Sequence, residues 1–281
     1  AYETGFYVRD TAGTTMCTSS ASPCVESSLS ANTLYTRKAL AYNDAGQSNY
    51  SSNGTGTTWS TAPSSTNITA SRAASSWSSG NTGLTFTNGL GFGAGTVTTL
   101  KYWLDTSATR TWTESESNWT GGTLGQTPTS DGTAWYVHFK GYNSAGVGNG
   151  TADLGPYYYD ATAPTAASLT TPADGAYTTS SRPEFKFAAG SDATAGIDHY
   201  TGSISKNNCA GSSETCSYDM GTVTPDTGFT LPTGKDLTEG TWLWKVKTYD
   251  QAGNTTDATR TLYLDTTSPG IFHNVSISPN Q

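Results

Sequence analysis

The chain has 281 residues and a net charge of −8 at pH 7; 13% of its residues are charged and 11% are aromatic. The acidic balance disfavours nucleic acid, whose binders draw affinity from basic side chains on phosphates, and an anionic membrane surface, and no apolar run approaches the ~18 residues of a spanning helix. Low charge with abundant Ser and Thr suits a disordered chain, but 8 Trp and 16 Tyr supply enough bulk for small cores.

Taken in order, the sequence is a series of short runs of period 2, the mark of strands with one buried face. Phe6-Tyr7-Val8 predicts the first. Leu29 to Tyr42 predicts a longer one, and Thr58-Trp59 ends another. After Ala62-Pro63, strands are expected at Gly83-Leu84-Thr85-Phe86 and Leu100–Leu104, separated by a turn with Gly89, Gly91, Gly93 and Gly95. Residues 105–134 are polar, with Trp112 and Trp119 among them. Trp135–Tyr142 alternates, and Tyr157-Tyr158-Tyr159 closes the next strand. Asp160-Ala161-Thr162-Ala163-Pro164 reads as a junction. Pro172-Ala173-Asp174-Gly175 is a turn, and Glu184–Phe187 and Ile197–Tyr200 are strands.

The clearest alternation follows Gly240-Thr241. Trp242, Trp244, Val246 and Thr248 point one way; Leu243, Lys245, Lys247 and Tyr249 point the other. It runs into Asp250-Gln251-Ala252-Gly253-Asn254, a turn composition. The junction recurs as Asp265-Thr266-Thr267-Ser268-Pro269, and Val275-Ser276-Ile277-Ser278 predicts one more strand. Helical periodicity is absent.

The strand-and-turn pattern ending at Gly253 also ends at Gly46 and Gly146, with separations of 100 and 107 residues. Pro63, Pro164 and Pro269 lie 101 and 105 apart. Recurrence at about 100 residues, the size of one immunoglobulin-type sandwich, means tandem domains. Leu29-x-x-x-Thr33-x-Tyr35, with Ala41, Asn43, Gly46 and Ser48, resembles the fibronectin type III and bacterial Ig-like families: the end of strand E, the tyrosine corner, strand F and the F–G turn. Trp135 and Trp242 stand where those families usually have Tyr. Asp-x-Thr-x-Pro looks like the joint between tandem bacterial Ig-like domains, kept short and stiff by proline.

The resemblance implies an all-β chain of tandem immunoglobulin-like (fibronectin type III-like) antiparallel β-sandwiches. Residues 1–62 read as an incomplete module holding strands C to G, 63–163 and 164–268 as two further modules, and 269–281 as a linker with the first strand of another. Arg37 departs from the pattern by falling on the face that should be buried; a shift of one residue places Lys38 there instead. The window is expected to be part of a longer polypeptide. The alternative is that its C-terminal strand completes the first module of a neighbouring copy by strand addition.

Cys17 with Cys24, and Cys209 with Cys216, share one spacing, each pair lying after a strand C in its own module. Local disulfides are expected, placing the protein outside the cytoplasm. Zinc is the rival, although structural zinc sites want spacings of about two to four residues and further ligands nearby. Asp160, Asp250, Asn254 and Asp265 offer oxygens for Ca²⁺ at module joints, or simply form turns. Trp112, Trp119, Tyr157 and Tyr159 form a sugar platform or ordinary core. His138, His199 and His273 have no Ser or Cys motif beside them, and paired catalytic carboxylates are not evident. Seven Asn-x-Ser/Thr sites, at Asn49, Asn53, Asn67, Asn118, Asn149, Asn254 and Asn274, agree with a surface location.

The expected function is therefore non-enzymatic: an extracellular stalk, adhesin arm or filament whose partners are adjacent modules or other copies of itself. The rival is a carbohydrate-binding or spacer region of a secreted glycan-degrading enzyme.

Overall fold

The computed structural model describes residues 2–79, 83–207, 209, 216–226 and 228–270. The strand expected at Val275–Ser278, with His273 and Asn274, lies outside them. Every regular element among the described residues is a β-strand. The chain divides into two compact units, Ala1–Tyr159 and Asp160–Gln281.

The first unit opens with β1 (Gly5–Arg9), β2 (Thr15–Ser19), β3 (Leu34–Asn43), β4 (Gly46–Gln47) and β5 (Gly54–Thr57), one sheet in the order β2-β1-β3-β4 with β5 also on β3. β6 (Ile68–Ala70), β7 (Leu84–Asn88), β8 (Thr99–Asp105), β9 (Ser117–Trp119), β10 (Leu124–Gln126), β11 (Gly132–Tyr142) and β12 (Gly148–Tyr159) then build two sheets, β10-β7-β6 and β12-β11-β8-β9. The second unit repeats that sandwich. β13 (Ser168–Thr171), β14 (Ala176–Thr178), β15 (Glu184–Ala188), β16 (Ile197–Lys206), β17 (Ser217–Val223), β18 (Phe229–Thr230), β19 (Gly240–Asp250) and β20 (Thr255–Leu264) form β13-β15-β18 and β14-β20-β19-β16-β17. Apart from the parallel β14–β20 pair, the pairings are antiparallel. The chain is all-β, tandem and sandwich-built.

Period 2 explains where the cores lie. On β19, Trp242, Trp244, Val246 and Thr248 are buried while the residues between them are less so. They meet Phe185, Phe187 and Leu169 from the facing sheet. On β11, Trp135, Val137 and Phe139 meet Ile68, Leu84 and Phe86. Among the described residues neither hydrophobic cluster draws on residues 2–67. Among the described residues the first sheet's one buried apolar side chain, Leu40, joins neither cluster, and part-buried polar bonds tie the sheet to the sandwich that follows. Asn143 Nδ2 donates to the Thr58 carbonyl at 3.0 Å and Asn149 Nδ2 to the Ser60 carbonyl at 2.6 Å.

One corner recurs in all three segments. The amide of Ser30 donates to the Tyr35 phenol oxygen at 3.0 Å. Trp135 Nε1 donates to the Ser130 carbonyl at 3.1 Å, and Trp242 Nε1 to the Thr238 carbonyl at 2.8 Å. An aromatic side chain at the start of strand F is thereby tied to backbone four or five residues upstream, as in a tyrosine corner. Indole does the same work with the donor reversed. The turns after strand F also match: Gly46, Gly146 and Gly253 all have positive φ, which glycine adopts without a Cβ penalty.

Both local disulfides are present, Cys17–Cys24 and Cys209–Cys216, with Cα–Cα separations of 6.2 and 5.7 Å. Cys17 lies on β2, and Cys216 directly precedes β17. Each bridge therefore pins the strand that follows strand C. Arg37 keeps its charge by pairing rather than by a change of register. Its Nε and Nη2 donate to Glu26 at 2.8 and 2.6 Å, and its guanidinium lies 4.8 Å from the Tyr35 ring.

The polar stretch after β8 folds over the outer face of β8 and β11. Burial works to raise the Glu116 carboxyl, but the Thr113 amide and the Arg110 guanidinium hold it at about 2. Arg110 also covers Trp103, 4.3 Å from its ring. Beneath this layer His138 is fully buried, with Nδ1 2.6 Å from Asp153 and Nε2 3.1 Å from Asp105.

Candidate metal centre

Three loops meet at one end of the second sandwich: the lead into β13, the β15–β16 connection and the β19–β20 turn. Each contributes an aspartate. Asp160 is fully buried, Asp250 is 2% exposed, and Asp192 is half-buried. One carboxylate oxygen from each lies within 4.8 Å of the other two. Oxygens that share one calcium at 2.3–2.6 Å fall within about 5 Å of each other, so the spacing fits such an ion.

Local sequence fixes each carboxylate. Asp160 Oδ1 accepts from the Thr162 amide at 2.9 Å and Oδ2 from the Ala195 amide at 3.0 Å. Asp192 Oδ1 accepts from the amides of Thr194, Ala195 and Gly196 at 3.0, 2.8 and 3.0 Å. Because Asp160 and Asp192 share the Ala195 N–H, their oxygens are drawn together. Asp250 Oδ1 accepts from the Asn254 amide, and Oδ2 from Asn254 Nδ2, both at 2.8 Å. Asn254 Nδ2 also reaches the carbonyls of Asp160 at 2.9 Å and Thr162 at 3.1 Å. Backbone N–H groups thus offset part of the repulsion among three nearby carboxylates, and a divalent cation would offset the remainder. The donor set is oxygen only, which suits Ca²⁺ or Mg²⁺ rather than zinc.

Of the four residues expected to ligate at joints, Asp160, Asp250 and Asn254 come together, while Asp265 does not. It sits beyond the far end of β20, about 30 Å away at ~3.3 Å per residue. Its carboxylate there accepts from the amide and hydroxyl of Thr267. Asp192 takes the vacant place and was missed. Its signal was the Asp-x-Thr pattern: Asp160, Asp192 and Asp265 each accept from the amide of a threonine two residues on.

The expected sugar platform is corrected. Trp119, Tyr157 and Tyr159 are buried in the first unit's core, at 4%, 5% and 9% exposure. Strand alternation directs them inward against Phe86 and Phe139. Trp112 alone lies outside, half-buried, with Lys140 Nζ 6.0 Å from its ring. His199 is a surface histidine, stacked on Tyr249 at 4.2 Å and bonded to Asp198.

No family model and no curated protein matches the chain. Among solved structures it is similar to the fibronectin(III)-like modules of Clostridium thermocellum CbhA, at 14% identity and a TM-score of 0.41, covering 74% of this chain and 99% of that one. It is also similar to the FN1–FN3 domains of chicken CNTN1, at 15% identity and 0.38, covering 92% and 89%. A third likeness is to a tetra-tandem repeat in the extending region of a large adhesion protein, at 17% identity and 0.29, covering 95% and 68%.

Proposed function

We propose that the chain is a non-enzymatic length of an extracellular stalk, adhesin arm or filament, and that Ca²⁺ fastens the Asp160–Thr162 lead onto the second sandwich. The carrying observation is how the Asp160-Ala161-Thr162 joint is bound. The Asp160 side chain is buried and takes two backbone N–H bonds, while Asn254 holds the carbonyls of Asp160 and Thr162. A passive tether needs none of this. Two disulfides favour an oxidising compartment, and no helix among the described residues is long and apolar enough to cross a membrane. Micrographs of the native assembly test the mechanical role: filaments or stalks support it, and dispersed single chains with no attachment overturn it.

The ion has its own test. At a hundred times its Kd, Ca²⁺ adds about 2.7 kcal/mol to the state that binds it. For a domain of this size that is a rise in Tm on the order of 10 °C. Scanning calorimetry of the full chain should show one transition rising with millimolar Ca²⁺ and falling back with chelator. Asp192→Asn and Asp250→Asn should each remove the rise. A Tm indifferent to Ca²⁺ in the unsubstituted chain would retire the ion and leave a hydrogen-bonded joint.

A further inference from the structure

The outer face of the larger sheet in the second unit holds a cleft of about 370 Å³, within the usual range for small-ligand sites. Strand register lays out its lining. Leu243 on β19 lies opposite Ser205 on β16 and Thr261 on β20. In the next row Thr241 lies opposite Tyr263; Tyr177 on β14, outside the lining itself, pairs with Tyr263 on its other side. The Asn207 amide donates to the Thr241 carbonyl at 2.9 Å, extending that row.

Two properties separate this patch from the rest of the face. It exposes apolar surface that folding leaves in water. Tyr177 is 76% exposed and Leu243 41%, and the Tyr177 and Tyr263 rings stack with centroids 4.8 Å apart. Beside that surface stand side-chain hydroxyls and an amide, on Ser205, Asn207 and Thr241. No other described residue engages them. Among the described residues no carboxylate lines the cleft, and the Lys206 ammonium donates to the Thr238 hydroxyl at 2.7 Å.

We propose that this cleft binds a neutral saccharide, with a sugar ring against Tyr263 and its hydroxyls bonded to Ser205, Asn207 and Thr241. A pyranose has an apolar C–H face and an equatorial rim of hydroxyls, and the cleft offers one surface for each. Tyrosine suits such a place, pairing a flat apolar body with a polar tip. A peptide pairing through its backbone is excluded, because β16, β19 and β20 each have both edges already paired. Among the described lining residues the one cation is Lys206, whose ammonium is turned to the Thr238 hydroxyl. The proposal goes beyond the mechanical reading and stands without it.

The test is titration of the full 281-residue chain with neutral oligosaccharides of glucose, xylose, mannose, galactose and N-acetylglucosamine, with polygalacturonate and heparin as anionic controls. A neutral oligomer should bind with a Kd on the order of 0.1 mM. Tyr263→Ala and Tyr177→Ala should each weaken binding about tenfold or more. Lys245→Ala, one row away, should leave it unchanged. Tyr177 is exposed enough for its variant to fold, so it decides the matter if Tyr263→Ala does not. Binding of anionic glycans only, binding of no sugar at millimolar concentration, or unchanged affinity in Tyr177→Ala overturns the proposal. So does self-association that the tyrosine variants abolish without any sugar being bound.

Discussion

Trp242→Ala is expected to destabilise the second sandwich by about 3–5 kcal/mol, the range for deleting a buried aromatic side chain. Trp242 is 1% exposed at the centre of the larger cluster, stacked on Tyr218 at 6.1 Å, and its Nε1 closes the corner onto Thr238. The neighbouring indole provides the control. Trp244 is equally buried and lies 5.3 Å from Phe185, yet among the described residues its Nε1 has no hydrogen-bond partner. Phenylalanine at either place opens a similar gap. At position 242 it also breaks a bond to a backbone carbonyl, whereas at 244 it removes a buried donor that gains nothing where it is. A lost bond costs about 1 kcal/mol, and an orphaned buried group about 1–3. Trp242→Phe should therefore cost roughly 2 kcal/mol more than Trp244→Phe in urea unfolding. Equal costs, or the reverse order, would mean that the corner bond does not stabilise the sandwich.

That corner also shows what the sequence makes legible. Strand alternation and the turn glycines are local properties, so β1, β8, β15 and β19 could be read within a residue or two of their ends, whereas β11 begins three residues before Trp135 and β16 runs six beyond Tyr200. The corner could be placed because an aromatic residue opens each copy of strand F. The facing of strands was harder. Tyr157 and Tyr159 alternate with Tyr158 on β12, and composition cannot say which set turns inward until β11 is laid beside it. Asp192 was missed for a related reason. It is about 30 residues from Asp160 and about 60 from Asp250, and only closure of the sandwich brings its loop to theirs. Arg37 illustrates the opposite error. A charge on an inward face looks like a broken pattern until Glu26 arrives from a loop to pair with it.

Asn32→Ala should detach the first sheet from the sandwich beside it. Lacking an apolar cluster, that sheet depends on polar bonds, and Asn32 is their hub. It is 4% exposed; Nδ2 donates to the Gly93 carbonyl at 2.7 Å and the Thr98 hydroxyl at 2.9 Å, while Oδ1 accepts from the Ser144 amide at 2.7 Å. Its own amide donates to the Trp59 carbonyl, tying the lead into β3 to the end of the first segment. It also sits at φ +42°, a left-handed conformation that asparagine tolerates better than alanine. Alanine would lose the bonds to the Gly93 carbonyl and the Ser144 amide, at about 1 kcal/mol each, and would add about 1 kcal/mol of backbone strain. The sum, near 3 kcal/mol, corresponds to roughly a hundredfold faster amide exchange on β3 if the sheet opens as a unit. Exchange on β19, in the other unit, should not change. Asn32→Gly removes the same bonds without the strain and should recover about 1 kcal/mol of the loss. Asn32→Asp keeps the acceptor for Ser144 but turns an oxygen toward the Gly93 carbonyl, and should behave more like alanine than like glycine. If β3 exchanges at its original rate in Asn32→Ala, the first sheet is held by something other than this network, and the account of how it survives without a core is wrong.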